Sequence, residues 1–203
     1  MHDYINAQID EAQRVVSAMR ADVVLRASVA AAAQACIVSL KAGGKVLFAG
    51  NGGSAADAQH MAGEFVSRFA FDRPGMAAIA LTTDTSILTA IGNDYGYERL
   101  FERQVQALGR PGDVLVAYTT SGQSSNILRA LEAARAQGMV TVGFTGNRGG
   151  PVIGLCDHLF AVPSAETPKI QEGHLVLGHI LCGLVENAIF SRIDSAGQLK
   201  AGL

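Results

Sequence analysis

A three-layer α/β sandwich is expected, with a five-stranded parallel sheet covered by helices on both faces and preceded by N-terminal helices. Three observations predict it. Five short apolar runs recur along the chain: Lys45–Ala49, Met76–Leu81, Asp113–Tyr118, Met139–Phe144 and Leu159–Val162. Near-continuous apolar runs of this length mark strands buried on both faces. Segments of helical character separate them, the alternation that builds parallel sheets. Two glycine- and hydroxyl-bearing loops, Gly50–Ser54 and Thr119–Ser125, follow the first and third runs. Parallel sheets hold ligands at the carboxyl ends of their strands.

The chain of 203 residues is long enough for one domain with a full core. It divides into N-terminal helices (1–42), an α/β core (43–192) and a tail (193–203). Charged residues make up 17% and the net charge is −2, so no basic excess exists to hold nucleic acid or an anionic membrane surface. A small anion can still be held by neutral donors. Cys36, Cys156 and Cys182 are sparse and form no CxxC pair, which reads as reduced, buried thiols in a cytoplasmic protein. Met1-His2-Asp3-Tyr4 is not a basic start leading to an apolar run, so no signal peptide is expected. Val23–Leu40 is the most apolar window. Arg26, Ser28, Gln34 and Ser39 interrupt it, and a buried helix is expected rather than a membrane span.

Taken in order, Ile5, Ile9, Ala12, Val16, Met19 and Val23 recur at three- and four-residue steps and predict an amphipathic helix. A second helix runs from Asp22 to Lys41 and stops at Ala42-Gly43-Gly44. After the first strand and the glycine loop, a helix continues to about Arg68. Pro74-Gly75 turns the chain into the second strand. Thr82-Thr83-Asp84 offers an N-cap for a short helix through Ile91, and Gly92–Gly96 reads as a loop. A helix over Glu98–Leu108 leads to the third strand. Then come the hydroxyl loop, a helix over Asn126–Gln137, the fourth strand, a loop over Gly146–Pro151, the short fifth strand, and a long helix over Lys169–Phe190. Ser195–Leu203 reads as a frayed tail.

Strand, glycine loop and helix in that order make an anion pocket: backbone N–H groups crowd one point and the helix N-terminus adds its dipole. Gly50-Asn51-Gly52-Gly53-Ser54 lacks the lysine of a nucleoside triphosphate loop. It also lacks the third glycine, and the acidic partner some 20 residues on, of a dinucleotide loop. The second loop is the better phosphate cradle. Thr119, Thr120, Ser121 and Ser124 place four hydroxyls in six residues before a helix, where one would suffice as a cap. His60 and Glu64, four apart, share one face of the helix after the glycine loop. On the last helix, Gln171 and His179 share a broad face and His174 points elsewhere. A carboxylate and an imidazole converging beside a phosphate pocket can move a proton between adjacent sugar carbons.

Taken together, Gly50–Ser54, His60-x-x-x-Glu64, Gly92-Asn93-Asp94, Thr119–Ser124, and Gln171-Glu172-x-His174 with His179 resemble the sugar isomerase (SIS) domain family, and within it the branch acting on phosphoheptoses. The match runs from about residue 1 to 190. It implies a flavodoxin-like SIS fold and an aldose–ketose isomerisation, D-sedoheptulose 7-phosphate to D-glycero-D-manno-heptose 7-phosphate, the first step towards the nucleotide-activated heptose of lipopolysaccharide. By the same resemblance Asn51, Gly52, Gly53, Ser54, Asn93, Asp94 and Gln171 contact substrate. Thr119, Thr120, Ser121 and Ser124 hold its phosphate. Glu64, also in contact with substrate, and His179 are the acid–base pair acting through an enediol, and His60, Glu64, Gln171 and His179 hold one zinc per subunit. The family resemblance further implies a cytoplasmic homotetramer with sites between subunits. Two departures stand out: the phosphate loop opens Thr119-Thr120-Ser121 rather than Ser-Thr-Ser, and Pro168 stands where some members carry an aspartate whose role cannot be transferred. The alternative within the fold is a non-catalytic SIS protein that binds a partner such as the replication initiator. Such proteins lack the full acid–base set, and this chain has both Glu64 and His179. A sugar-phosphate-sensing regulator would add a DNA-binding domain, for which there is neither length nor charge.

Overall fold

The computed structural model describes residues 1–190 and the short paired segments Arg192–Ile193 and Leu199–Lys200. The rest of the tail expected to fray lies outside the described residues. Helices α1 (His2–Ala21) and α2 (Val23–Lys41) precede the sheet. Asp22 ends one helix and caps the next, its carboxylate accepting from the N–H groups of Val24 and Leu25. Then follow β1 (Val46–Ala49), α3 (Gly53–Val66), β2 (Ala78–Ala80), α4 (Thr85–Tyr95), α5 (Glu102–Leu108), β3 (Val114–Tyr118), α6 (Ser125–Ala136), β4 (Val140–Gly146), β5 (His158–Val162) and α7 (Thr167–Phe190).

The five main strands are all parallel, in the order β2-β1-β3-β4-β5. This is the flavodoxin-like order, and its switch point lies between β1 and β3. The strand pleat sorts the side chains. Val46, Phe48, Val114, Val116, Tyr118 and Phe144 face a layer of α1, α2, α3 and α7. Leu47, Ala49, Leu115 and Ala117 face the opposite layer, where Ile91, Val105, Ile127 and Leu131 come from α4, α5 and α6. Each fully buried side chain of this size contributes about 1.5–3 kcal/mol. Because both loops leave strands at the switch point, the fold brings the glycine loop and the hydroxyl loop to one edge.

Two local expectations need correction. Gly92, Asn93 and Asp94 are not loop: α4 continues through Tyr95, and the chain breaks at Gly96 with φ +88°. Ile91 is buried on the core side of this helix, and its packing outweighs the weak helix propensity of Gly92 and Asn93. The helix expected over Glu98–Leu108 splits into a 3₁₀ turn, Tyr97–Arg99, and α5. A further 3₁₀ turn, Pro151–Leu155, follows the glycines after β4 and buries Val152.

Helices α2 and α7 are each long and apolar enough to cross a membrane. Here they pack against each other, with Leu25, Val29, Ala32 and Cys36 of α2 in the core. The apolar stripe of α1 behaves differently from its simplest reading: Val15 and Met19 are buried, whereas Ile5, Ile9 and Val16 are exposed. The three cysteines are free thiols, two buried and one half-buried, and burial pushes Cys36 and Cys156 up to about 12.

Candidate active site

Helix α3 starts where β1 ends. Gly52 takes φ +58° and lets the chain turn into the helix, and Asn51 and Gly52 accept the first helical N–H groups, from Ser54 and Ala55. Gly53 lies directly under Gln171: an added Cβ would come 2.5 Å from Gln171 Nε2, the movable end of that side chain. The amide of Gln171 thus rests on the start of α3. Ser54 is buried behind it. Asn51 is held rather than loose. Its amide exchanges two hydrogen bonds with Asn126, at 2.8 and 2.9 Å, and its Oδ1 also accepts from Tyr97 Oη at 2.8 Å. Asn126 and Tyr97 were not legible as site residues from the sequence, since each is an unremarked member of its own helix or turn.

Two turns into α3, His60 Nε2 lies 3.0 Å from Glu64 Oε1. From α7, His179 Nε2 comes within 3.5 Å of His60 Nε2, the two rings edge to face. One ligand atom from each of His60, Glu64 and His179 lies within 4.8 Å of the others. The α3–α7 contact therefore joins residues 119 apart in sequence. Gln171, on the same helix as His179, sits against Gly53 at the other end of this contact. Asp57, one turn before His60, is half-buried; burial raises its carboxyl pKa and the His60 imidazole opposes the rise.

His174 is not part of this cluster. It is sealed in the core between Tyr118 and Phe144, its Nε2 donating to the Thr145 carbonyl at 3.2 Å. Burial lowers its pKa to about 4, so the ring is neutral at physiological pH. Asn93 and Asp94 are exposed on the last turn of α4, where Asn93 Nδ2 donates to Asp94 Oδ1. They do not join the histidine cluster.

The hydroxyl loop lies at the end of β3. Thr119 is buried and its Oγ1 is 3.2 Å from Ser124 Oγ, while Ser121 Oγ accepts from the Gln123 N–H. Ser124 occupies the N-cap of α6 without capping it, so its hydroxyl is not spent on that helix. Gly122 takes φ +68°, and a Cβ there would collide with the carbonyl of Gly149. A cavity of about 250 Å³ opens beside this loop, lined by Thr120, Ser121, Gln123, Arg148, Ser164 and Thr167 among others. Arg148 is a cation that sequence reasoning passed over. It stands two residues after β4, at the carboxyl edge where such sheets bind ligands.

Two imidazole nitrogens and a carboxylate oxygen gathered this closely form a donor set that suits zinc. One observation makes the fit physical. The two Nε2 atoms face each other while His60 Nε2 also faces Glu64, and a single ring N–H cannot satisfy both neighbours. A shared cation would satisfy all three.

Comparison with known proteins identifies the family. Residues 8–146 match the SIS domain. A phosphoheptose isomerase of Burkholderia pseudomallei is 71% identical over 93% of this chain and 96% of its own length. One from Aneurinibacillus thermoaerophilus is 57% identical over 94% and 96%. The structure of a phosphoheptose isomerase from Neisseria gonorrhoeae superposes with a TM-score of 0.85 at 41% identity, covering 92% of this chain and 98% of that one. The chain belongs to the SIS domain family and, within it, to the phosphoheptose isomerases, enzymes that isomerise sugar phosphates.

Proposed function

We propose that the chain converts D-sedoheptulose 7-phosphate to D-glycero-D-manno-heptose 7-phosphate, with Glu64 and His179 as the acid–base pair. The observation that carries this reading is the convergence of Glu64 and His179 across the α3–α7 contact. Glu64 Oε1 faces His60, and Oε2 makes no hydrogen bond among the described residues. One group removes a proton from C1 of the ketose while the other gives a proton to the C2 carbonyl oxygen, forming the 1,2-enediol. Return of a proton to C2 and loss of the O1 proton leave the C1 aldehyde. No atom is gained or lost. The distal phosphate is held by Thr119, Thr120, Ser121 and Ser124 together with the first N–H groups of α6. Asn51, Gly52, Gly53, Ser54, Asn93, Asp94 and Gln171 are assigned to the sugar chain, with Gly52 and Gly53 allowing close approach to backbone.

His60, Glu64 and His179 would hold the zinc, and Gln171, whose amide rests on Gly53, would have to swing away from it along α7 to become the fourth ligand. A bound zinc would supply Lewis-acid polarisation of an oxygen and fix the three side chains relative to one another. The product would feed the nucleotide-activated heptose of lipopolysaccharide, in the cytoplasm. Assembly as a homotetramer through the N-terminal helices is supported by the exposed Ile5, Ile9 and Val16 of α1, and by Ile180 and Leu184 of α7. A groove of about 310 Å³ lies between α1, α2 and α7.

The test is direct: incubate the protein with sedoheptulose 7-phosphate, with and without added zinc, and follow the sugar by NMR. An aldoheptose 7-phosphate is expected. No conversion in either condition would favour a partner-binding SIS protein.

A further inference from the structure

Helix α3 ends at Val66, two residues past Glu64, and its last carbonyls need partners. Arg73 supplies them. Its Nη2 donates to the Glu64 carbonyl at 2.7 Å, and its Nη1 donates to Phe65 O at 2.6 Å and to Ser67 O and Pro74 O at 3.1 Å each. Its Nε donates to Glu186 Oε1 at 2.9 Å. Glu186, on α7, accepts two more bonds, from the N–H groups of Phe69 at 2.8 Å and Ala70 at 2.7 Å. The side chains of Arg73 and Glu186 are 1% and 0% exposed.

A buried ion pair adds little net stability, because desolvation offsets the attraction. What this pair fixes is geometry, and both of its ends reach the site. Arg73 holds the carbonyl of Glu64 itself. Glu186 ties down the turn after α3 so that the Phe69 ring stands 5.5 Å from the His179 ring, centroid to centroid. The same ring lies over Gly183, one turn further along α7, where an added Cβ would meet it at 3.3 Å. His179 and Glu186 are seven residues apart and so share one face of α7.

We propose that Arg73 and Glu186 are positioning residues for the acid–base pair. They pin the end of α3 that carries Glu64 and, through Phe69, the imidazole of His179. The assignment rests on the reading of Glu64 and His179 as the reacting groups. A clamp of this kind acts on orientation, so its loss lowers kcat more than it raises KM.

Two variants test it. Glu186→Gln keeps the shape but turns one acceptor into a donor facing backbone N–H groups. Arg73→Lys keeps the charge but cannot reach four carbonyls at once, and it serves if the first variant does not fold. Val105→Ala is the control. Val105 is buried on the opposite face of the sheet, so its loss weakens the fold without touching α3 or α7. The measurements are kcat and KM on sedoheptulose 7-phosphate, and the rate at which diethyl pyrocarbonate modifies His179 relative to exposed His2, read by mass spectrometry. Each clamp variant should lower kcat about 10- to 100-fold with KM changed less than about threefold, as expected of a misplaced catalytic group. Relative modification of His179 should rise about fivefold or more as the segment loosens. Val105→Ala should lower the melting temperature yet leave both readouts within about twofold of wild type. The proposal is overturned if the folded clamp variants also stay within about twofold, or if Val105→Ala moves both readouts as far. Should the unmutated protein leave sedoheptulose 7-phosphate unchanged, the isomerase reading fails, and the His179 modification ratio still decides whether the clamp positions the imidazole.

Discussion

Replacing His174 by glutamine should remove much of the protein's acid sensitivity. In the fold the ring is fully buried, with Phe144 and Tyr118 at centroid distances of 5.5 and 5.8 Å, and only Nε2 has a partner, the Thr145 carbonyl. Nδ1 has none. Burial lowers the pKa from 6.5 to about 4, and the Thr145 carbonyl opposes that shift in part. The direction follows from proton counting. Between those two values the unfolded chain binds the proton and the folded one does not. Stability is therefore fully present above pH 6.5 and is lost as the pH falls towards 4. The gap between those two values corresponds to about 3 kcal/mol when complete, of which about 2 kcal/mol is gone by pH 5. The assay is urea unfolding at pH 7.5 and pH 5, at fixed protein concentration because any assembly adds its own stability. Contributions that the substitution leaves untouched cancel in the difference between the two proteins. Glutamine keeps an amide N–H for Thr145 and does not titrate. It should cost about 1–3 kcal/mol at pH 7.5 yet lose about 2 kcal/mol less than wild type on going to pH 5. If the two proteins lose stability equally over that range, within about 0.5 kcal/mol, His174 is not the buried proton acceptor.

Glu64→Gln and His179→Gln should each lower turnover of sedoheptulose 7-phosphate by about 10²–10⁴, and near-normal turnover in either would remove that residue from the acid–base role. Ser121→Ala should mainly raise KM, through loss of one charge-assisted hydrogen bond of about 1.5–3 kcal/mol; an unchanged KM would move the phosphate elsewhere. Gly122→Ala places a side chain at φ +68° and against the Gly149 carbonyl. It should lower stability by about 2 kcal/mol or more in urea, and a loss below about 0.5 kcal/mol would mean that the loop relaxes freely.

Much of the architecture was readable because the signals that encode it are local. Runs such as Val46–Ala49 and Val114–Tyr118 are apolar on both faces since both faces are covered. Asp84 announces α4 through capping chemistry that involves only neighbours, and its carboxylate accepts the Ile87 N–H; Asp22 caps α2 in the same way. Reading failed where a distant packing partner overrode a local preference. Gly92-Asn93-Asp94 has the composition of a turn, but the stretch is carried as helix by Ile91 and ended by Gly96.

The site divides along the same line. His60 and Glu64 are one helical turn apart, so their meeting needed only the geometry of a helix, and they do meet at 3.0 Å. The arrival of His179 needed α3 and α7 to lie side by side, which helical periodicity cannot supply. Gln171 shows the limit most clearly. A shared face on α7 says nothing of the roughly 12 Å of helix that separates residues eight apart, and the Gln171 amide lies against Gly53 while His179 lies against His60. One helix thus touches both ends of α3: Gln171 at the loop where the sugar chain would enter, and His179 where protons would move. On the proposed function, that span separates the end of α3 assigned to the sugar chain from the end assigned to proton transfer. It also explains why the end of α3 must be held by Arg73 as firmly as its start is seated by Gly53, because a rotation of α3 would separate Glu64 from His179 without breaking any bond of the sheet.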